Sequence, residues 1–270
     1  MNNEYLSTYV ARNLRACQLK QLAILEQIDR VCQKHGIDYW LDGGTLLGAV
    51  RHDGFIPWDD DIDIGMSLAD LRRFEAVAPA ELPDGLFLQT PRNDPGSKEP
   101  IAKVRDLNSL YIESGDNFYA SYHKGLYVDI FPFIDYPSVP RPWVKKLTKG
   151  ISKSYSILHT QHYYSARSFA EFFFFAAEYA LFRLVWGALC LCAKKGTYLS
   201  NTLVNNGYGI MHRKDSVYPL STITFEGKTF PAPANPDAYL KDLYRNYMDV
   251  PPPEKRKIHA IYIHPELIKQ

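Results

Sequence analysis

The sequence predicts an α+β fold in which helices flank a short mixed sheet and a mostly helical portion follows, and three observations carry that prediction. Residues 4–35 place apolar side chains at helical spacing. Short strand-like runs follow, one of them bearing aspartates at alternate positions. Past Pro137, Pro140 and Pro142, which mark a boundary, the composition turns basic and then strongly apolar.

In the first helix Leu22, Leu25, Ile28 and Cys32 recur at spacings of three and four, with Glu26, Asp29 and Lys34 off that face. Gly36 ends it, as a glycine after a last helical turn does. Ile37–Leu41 reads as a strand, Asp42-Gly43-Gly44-Thr45 as a turn, and Leu46, Leu47, Ala49 and Val50 as the start of a helix. A strand, a glycine turn and a helix start together aim backbone N–H groups at an anion, although a Gly-Gly pair alone signals only a turn. A loop, Arg51–Trp58, leads into Asp59-Asp60-Asp61-Ile62-Asp63-Ile64-Gly65. A helix from Leu68 to about Val77 follows, then a connection rich in Pro and Gly, then strands over Ile101–Asp106 and Gly125–Pro132. Near the end, Thr224–Phe230 reads as a hairpin and Asp237–Met248 as a short helix, before prolines and the basic Lys255-Arg256-Lys257. The expected organisation is a catalytic core over 1–136, a basic and hydrophobic helical insert over 137–200, and a C-terminal portion over 201–270 that completes the catalytic domain.

Four aspartates within five residues repel one another unless something neutralises them. On a strand Asp61 and Asp63 share one side while Ile62 and Ile64 anchor the other in the core. Two carboxylates so held suit Mg²⁺ or Mn²⁺, hard ions that keep waters and take substrate phosphates as further ligands. The competing reading, a solvated acidic turn, fits the flanking isoleucines badly. A two-metal site needs a third carboxylate. Asp129 is the candidate, because Leu126, Val128 and Ile130 occupy the opposite face of its strand. Asp59 and Asp60 rank below these three, as supporting groups or as residues that hold the loop.

The chain has 270 residues, 46% hydrophobic and 23% charged, enough for a real core and unlike a disordered polymer. The net charge of +1 provides no global field for nucleic acid, and none is expected as a partner. Aromatic residues make up 14%, which suits pockets and membrane interfaces but also simply fills cores. Cys17, Cys32, Cys190 and Cys192 match no zinc or redox spacing and read as buried or neutral thiols in a reducing compartment. The polar N-terminal stretch lacks the apolar core of a signal peptide, so the expected location is the cytoplasm.

The run from Tyr39 to His52, continuing through Ile56-Pro57-Trp58 to Gly65, resembles the signature of the LicD family. So does Tyr127-Val128-Asp129-Ile130-Phe131-Pro132. Tyr239-Leu240, Leu243-Tyr244, Tyr247-Met248, Pro251-Pro252, Arg256 and His259 resemble its closing motif, with Arg245 standing where the family pattern has glycine. The resemblance is weakest over residues 141–200. It implies a nucleotidyltransferase-like fold and transfer of phosphocholine, or a related alcohol phosphate, from a CDP-linked donor. The acceptor it implies is a hydroxyl of a cell-surface glycan (lipopolysaccharide, teichoic acid or capsule) or of a lipid-linked precursor. The ribitol-phosphate transferases of the fukutin-related group are similar. By residue match, Asp61, Asp63 and Asp129 take the metal role.

That chemistry requires charge to be neutralised on the diphosphate. Gly43, Gly44 and Thr45 offer N–H groups and a hydroxyl, Arg51 a planar fork, and Lys103 and Arg105 alternate toward the same anion. The acceptor hydroxyl must lose a proton, and Asp129, a metal-bound hydroxide and His52 are each candidates to take it. The alternatives are a D-x-D glycosyltransferase using a nucleotide sugar and a membrane-associated scaffold. The Gly-Gly-Thr turn ahead of D-x-D, with a later strand aspartate, favours the first reading over both.

Residues 141–195 form the unassigned stretch. Arg141, Lys145, Lys146, Lys149, Lys153 and Arg167 precede the apolar Phe172–Cys192, which Lys194-Lys195 close. Glu178 and Arg183 inside the apolar run argue against a spanning helix. The expectation is peripheral attachment at the inner face of the cell membrane through an in-plane helix. A buried or dimer-forming helix is the alternative.

Overall fold

The computed structural model describes residues 4–97, 99–116, 119, 121–159, 165–194 and 196–267. In chain order the first elements are α1 (Glu4–His35), β1 (Trp40–Leu41), α2 (Gly43–His52), β2 (Asp63–Ser67), α3 (Leu68–Glu81), β3 (Leu86–Gln89), β4 (Ala102–Asp106) and β5 (Leu110–Glu113). Then come β6 (Tyr127–Tyr136), α4 (Arg141–His159), α5 (Ala166–Cys192), β7 (Tyr198–Asn201), β8 (His212–Arg213) and α6 (Lys214–Val217). The chain closes with β9 (Ser221–Phe225), β10 (Lys228–Ala232), α7 (Pro236–Tyr244) and β11 (Ala260–His264). The class is α+β, with helices flanking a mixed sheet. Two compact units result, Met1–Pro132 with Leu220–Gln270, and Phe133–Pro219.

In the first unit the strands run in the order β1-β2-β6-β4-β3. Ile62, Ile64, Met66, Val104, Val128 and Ile130 are fully buried, so the isoleucines beside the aspartates anchor the acidic segment. Burial of each such side chain contributes about 1.5–3 kcal/mol. Helix α1 buries Val10, Leu14, Leu22, Leu25, Ile28 and Val31 along one face and packs against α3, β4 and β11. Two details differ from the sequence reading. Strand β1 is confined to Trp40–Leu41, because Gly36 turns the chain at φ +60° and Ile37–Tyr39 lead in without pairing. Strand β2 starts at Asp63, so Asp61 lies on its lead-in rather than within the strand. The lead-in is nevertheless fixed: the Asp129 N–H donates to the Ile62 carbonyl at 2.8 Å.

The predicted hairpin is β9–β10, turned by Glu226 and Gly227, both at positive φ as a two-residue hairpin loop of that kind requires. The second unit takes the C-terminal end of β6, which pairs β7, which pairs β8. Its core is Tyr136, Val144, Leu147, Ile151, Trp186, Leu203 and Met211. Asn206 satisfies three acceptors there, the Tyr136 and Ser200 hydroxyls and the Ile210 carbonyl. All four cysteines are free; Cys17 and Cys32 are buried, Cys190 is half-buried and Cys192 is exposed.

Helix α7 ends at Arg245, which sits at φ +55° and ψ −91°. A Cβ is disfavoured in that region, so Arg245 holds a strained backbone conformation. Arg245→Gly is therefore expected to raise stability by about 1 kcal/mol, the relief of strain exceeding the added freedom of the unfolded chain. Thermal or urea unfolding reads this directly, and a lowered midpoint would show that Arg245 contributes contacts worth more than its strain.

Candidate active site

Helix α2 starts where β1 ends, and Asp42 caps it by accepting from the Gly43 N–H. The Asp42 carboxylate is itself held by the Tyr239 hydroxyl at 2.7 Å, and Trp40 Nε1 donates to that hydroxyl. Two acids crowd the first turn of the helix. A Cβ at Gly43, where φ is +52°, would lie 2.6 Å from Asp63 Oδ2, and one at Gly44 would lie 2.7 Å from Asp59 Oδ2. Only glycine allows both carboxylates this approach to the helix N-terminus, where backbone N–H groups favour negative charge. Thr45 Oγ1 accepts from the Asp63 N–H at 2.8 Å, so its hydroxyl ties β2 to α2.

Helix α1 holds the acidic loop by its backbone. Gln18 Nε2 donates to the Asp59 carbonyl and Gln21 Nε2 to the Asp60 carbonyl, each at 2.8 Å. The Asp60 carboxylate is buried and fully engaged. It accepts from the Tyr111 hydroxyl at 2.9 Å, the Ala260 N–H at 2.6 Å and the His259 N–H at 3.2 Å. Asp60 thus seats β11, and it brings His259 to the loop.

Asp129, on β6, lies opposite Lys103 of β4, whose Nζ is 2.7 Å from Asp129 Oδ1 and also pairs with Glu99. Burial works against the Lys103 charge, but Asp129 and Glu99 outweigh it and hold the ammonium's pKa above its usual range. Tyr127 lies under Lys103 and Arg105.

Among the described residues, these acids are short of countercharge. Burial, then Asp61 and Asp60, pushes the Asp59 carboxyl up to about 8. Burial and Asp60 push Asp61 up to about 6 against the pull of His259 and Lys103. Burial lifts Asp129 to about 7, against Lys103. Asp63 stands well above the carboxylate range through burial, followed by repulsion from Asp61, Asp129, Asp42 and Asp59. Carboxylates taken out of water without cations to pair with them fit a hard divalent ion. Among the described residues, Asp60, Asp61 and His259 form a group whose ligand atoms lie within 4.8 Å of one another. Because Asp60 already accepts three hydrogen bonds, Asp61 is the member with oxygens to spare.

The structure thus brings Gly43, Gly44, Thr45, Asp61, Asp63, Asp129 and Lys103 together. Three other candidates are turned to structural partners. Arg51 donates from one nitrogen to the Tyr247 and Asp249 carbonyls, while Asp59 still acts on its charge. His52 accepts from Arg51 Nε and packs edge-on to Trp58, against which Arg256 also stacks. Burial and Arg51 lower its pKa, so its ring is neutral. Arg105 donates to Gln89 Oε1 and the Gly125 carbonyl and lines a cavity of ≈ 220 Å³ with Glu99, Tyr111, Glu113 and Tyr122. Residues missed in the sequence are His259 and Tyr244, whose phenol lies in the field of Asp63, Asp42, Asp59 and Asp61. The closing motif contained both, as its signal.

Residues 36–157, which carry all of these acids, match the family described as LicD/FKTN/FKRP, nucleotidyltransferase domain. Over those residues the chain is therefore similar to a LicD-family domain. The lipopolysaccharide cholinephosphotransferase LicD of Haemophilus influenzae is 26% identical over 92% of this chain and 96% of its own length. The ribitol 5-phosphate transferase FKRP of Mus musculus is 36% identical over 38% of this chain and 18% of its own length, and that of Homo sapiens is the same. The similarity to LicD therefore extends well beyond the family domain, whereas that to FKRP covers a minor part of the larger relative.

Two outcomes follow from the electrostatics. A carboxyl whose folded pKa exceeds its unfolded value stabilises the fold below the unfolded pKa and loses that contribution as pH rises through the folded one. Metal-free protein should therefore melt at progressively lower temperature between about pH 4 and pH 8, from the unfolded carboxyl value up through the folded values of Asp61, Asp129 and Asp59. Mg²⁺ or Mn²⁺ should restore the midpoint at the alkaline end and do little at the acid end; scanning calorimetry with and without chelator checks this, and a flat profile would refute it. Asp60→Ala should cost about 3 kcal/mol or more, since it orphans a buried hydroxyl and a buried N–H together. An unfolding midpoint within experimental error of the unaltered chain would contradict that anchoring role.

Proposed function

We propose that this LicD-family phosphotransferase moves phosphocholine, or a related alcohol phosphate, from a CDP-linked donor to a hydroxyl of a cell-surface glycan or its lipid-linked precursor. The observation that carries the proposal is the set of mutually repelling, desolvated carboxylates Asp59, Asp61, Asp63 and Asp129, with Asp59 and Asp63 against the first turn of α2 and, among the described residues, too few cations to balance them. The relatives named above, which transfer cholinephosphate and ribitol 5-phosphate, support the same class of substrate. In the reaction the acceptor oxygen bonds to the phosphorus that bears the alcohol. The bond from that phosphorus to the bridging oxygen breaks, CMP leaves, and the acceptor proton is lost to a base.

Asp61, Asp63 and Asp129 are the residues that would hold Mg²⁺ or Mn²⁺, with Asp60 setting the loop and His259 at its rim. The bound ion supplies charge neutralisation on the diphosphate oxygens. Lys103, kept protonated by Asp129 and Glu99, adds a fixed positive charge beside them. The first turn of α2 at Gly43, Gly44 and Thr45 presents N–H groups to a phosphate oxygen. Arg51 serves chiefly to fasten the Tyr247–Asp249 segment against α2. His52 is a poor general base here, because its Nε2 already accepts from Arg51. The work is done at the cytoplasmic face of the membrane, where nucleotide-activated donors are made.

A screen of CDP-choline, CDP-ribitol, CDP-glycerol and UDP-sugars, with either metal and with chelator, tests this. The expected outcome is metal-dependent CMP release from one CDP-alcohol, reduced at least about a hundredfold in the Asp61→Asn, Asp63→Asn double variant. UDP release from a sugar donor would replace the proposal with glycosyl transfer. CMP release that the double variant retains would remove these acids from the reaction.

A further inference from the structure

Helix α5 has 27 residues and is long and apolar enough to cross a bilayer, yet only Trp186 along it is buried. Its two faces have different fates. Tyr179, Phe182, Val185, Trp186 and Leu189 pack into the core of the second unit. Phe169, Phe173, Ala180, Leu184 and Leu191 recur at spacings of four and seven, so they form one stripe along the helix, and all are exposed. Phe173 is 64% exposed, Leu184 72% and Leu191 84%, with Phe174 at 63% beside them. An aromatic and aliphatic stripe of this length in contact with water has no packing explanation within the unit.

Helix α4 supplies the charge. Lys146, Lys149 and Lys153 recur at spacings of three and four and so share a face, and each is exposed. Lys153 Nζ lies 5.2 Å from the centre of the Phe175 ring, which joins this face to α5. Residues 141–170 include no acid. Among the described residues, Lys145, Lys146 and Lys149 form no ion pair, whereas the two acids of α5 are engaged, Glu171 with Arg167 and Glu178 with the Ser154 hydroxyl. Trp143, 59% exposed, sits one turn before Lys146. Lys195 lies outside the described residues.

We propose that α4 and α5 form a docking surface for an anionic lipid bilayer. The α5 stripe is sunk in the headgroup–acyl boundary, parallel to the membrane, and the α4 lysines rest on lipid phosphates. Apolar exposure and unpaired positive charge on the same helix pair match an interface that is itself apolar inside and negative outside. A spanning α5 is excluded by its seat. Phe182 lies against Gly150, where a Cβ would come within 2.0 Å of the ring, and the Glu178–Ser154 bond further keys α5 to α4. Crossing the bilayer would drag Glu178 and the α4 lysines into hydrocarbon. A symmetric dimer through the same face would set one row of lysines against its copy. The inference rests on the second unit alone and is independent of the reaction proposed above.

The test is sedimentation of the full chain with phosphatidylcholine vesicles, with and without phosphatidylglycerol, at low and high salt. Binding should require phosphatidylglycerol and weaken as salt rises. Lys149→Gln should weaken it about fivefold, and the double variant Phe173→Ser, Leu184→Ser at least about tenfold. Both changes lie on exposed surface, and circular dichroism verifies that the helices persist; Lys149→Gln, which touches no core, keeps the test decisive should the double variant misfold. No binding, equal binding to neutral vesicles, or binding that neither variant weakens would overturn the proposal. So would retention through an alkaline carbonate wash, which indicates a span, or a concentration-dependent dimer that the double variant abolishes without any vesicle binding.

Discussion

Crowding of like charge out of water is the constraint on which the first unit is built. Asp42, Asp59, Asp61, Asp63 and Asp129 act on one another across a small volume, and among the described residues the buried ammonium placed with them is that of Lys103. Such an arrangement expands unless the backbone that carries it is held from elsewhere. The structure meets that need with neutral groups. Gln18 and Gln21 grip the loop carbonyls, Thr45 takes the Asp63 N–H, and buried Ile62 and Ile64 fix the two positions between. None of these contacts cancels the repulsion, so the field remains, and the cation and diphosphate of the proposed reaction would relieve it.

The C-terminal segment belongs to the same construction. Tyr239 steadies the cap of α2, Tyr247 and Asp249 receive Arg51, and Asp60 seats β11. Residues from both ends of the first unit therefore meet over the acids, with the intervening chain from Phe133 to Pro219 forming a unit of its own. That second unit is organised on different principles, with an apolar core around Tyr136 and Trp186 and an asparagine, Asn206, satisfying its buried hydroxyls.

Much of this was legible in the amino-acid sequence because it depends on local pattern. The spacing of Leu22, Leu25, Ile28 and Cys32 describes α1, and alternation in Thr224–Phe230 describes β9–β10. What local pattern does not determine is how neighbouring, identical residues divide their work. Asp60 and Asp61 are indistinguishable in sequence, yet one accepts from Tyr111 and Ala260 and the other faces the remaining acids. Arg51 and Arg105 carry the fork suited to phosphate, but distant carbonyls, of Tyr247 and Gly125, occupy it. His259 belongs to the closing motif, but its place beside the loop comes only from a pairing made in three dimensions. Arg245 is the reverse case, where an arginine in place of the family's glycine coincides with a strained backbone position at the end of α7.

The Asp60–Ala260 bond spans 200 residues of chain. At translation rates of about 5–20 residues per second, the acidic loop leaves the ribosome roughly 10–40 s before its closing strand exists. Through that interval Asp60 can only be hydrated, and the loop has no fixed shape to offer a cation or a nucleotide. The fixed shape of the acidic loop therefore waits for β11 and is absent from any nascent fragment that stops short of it.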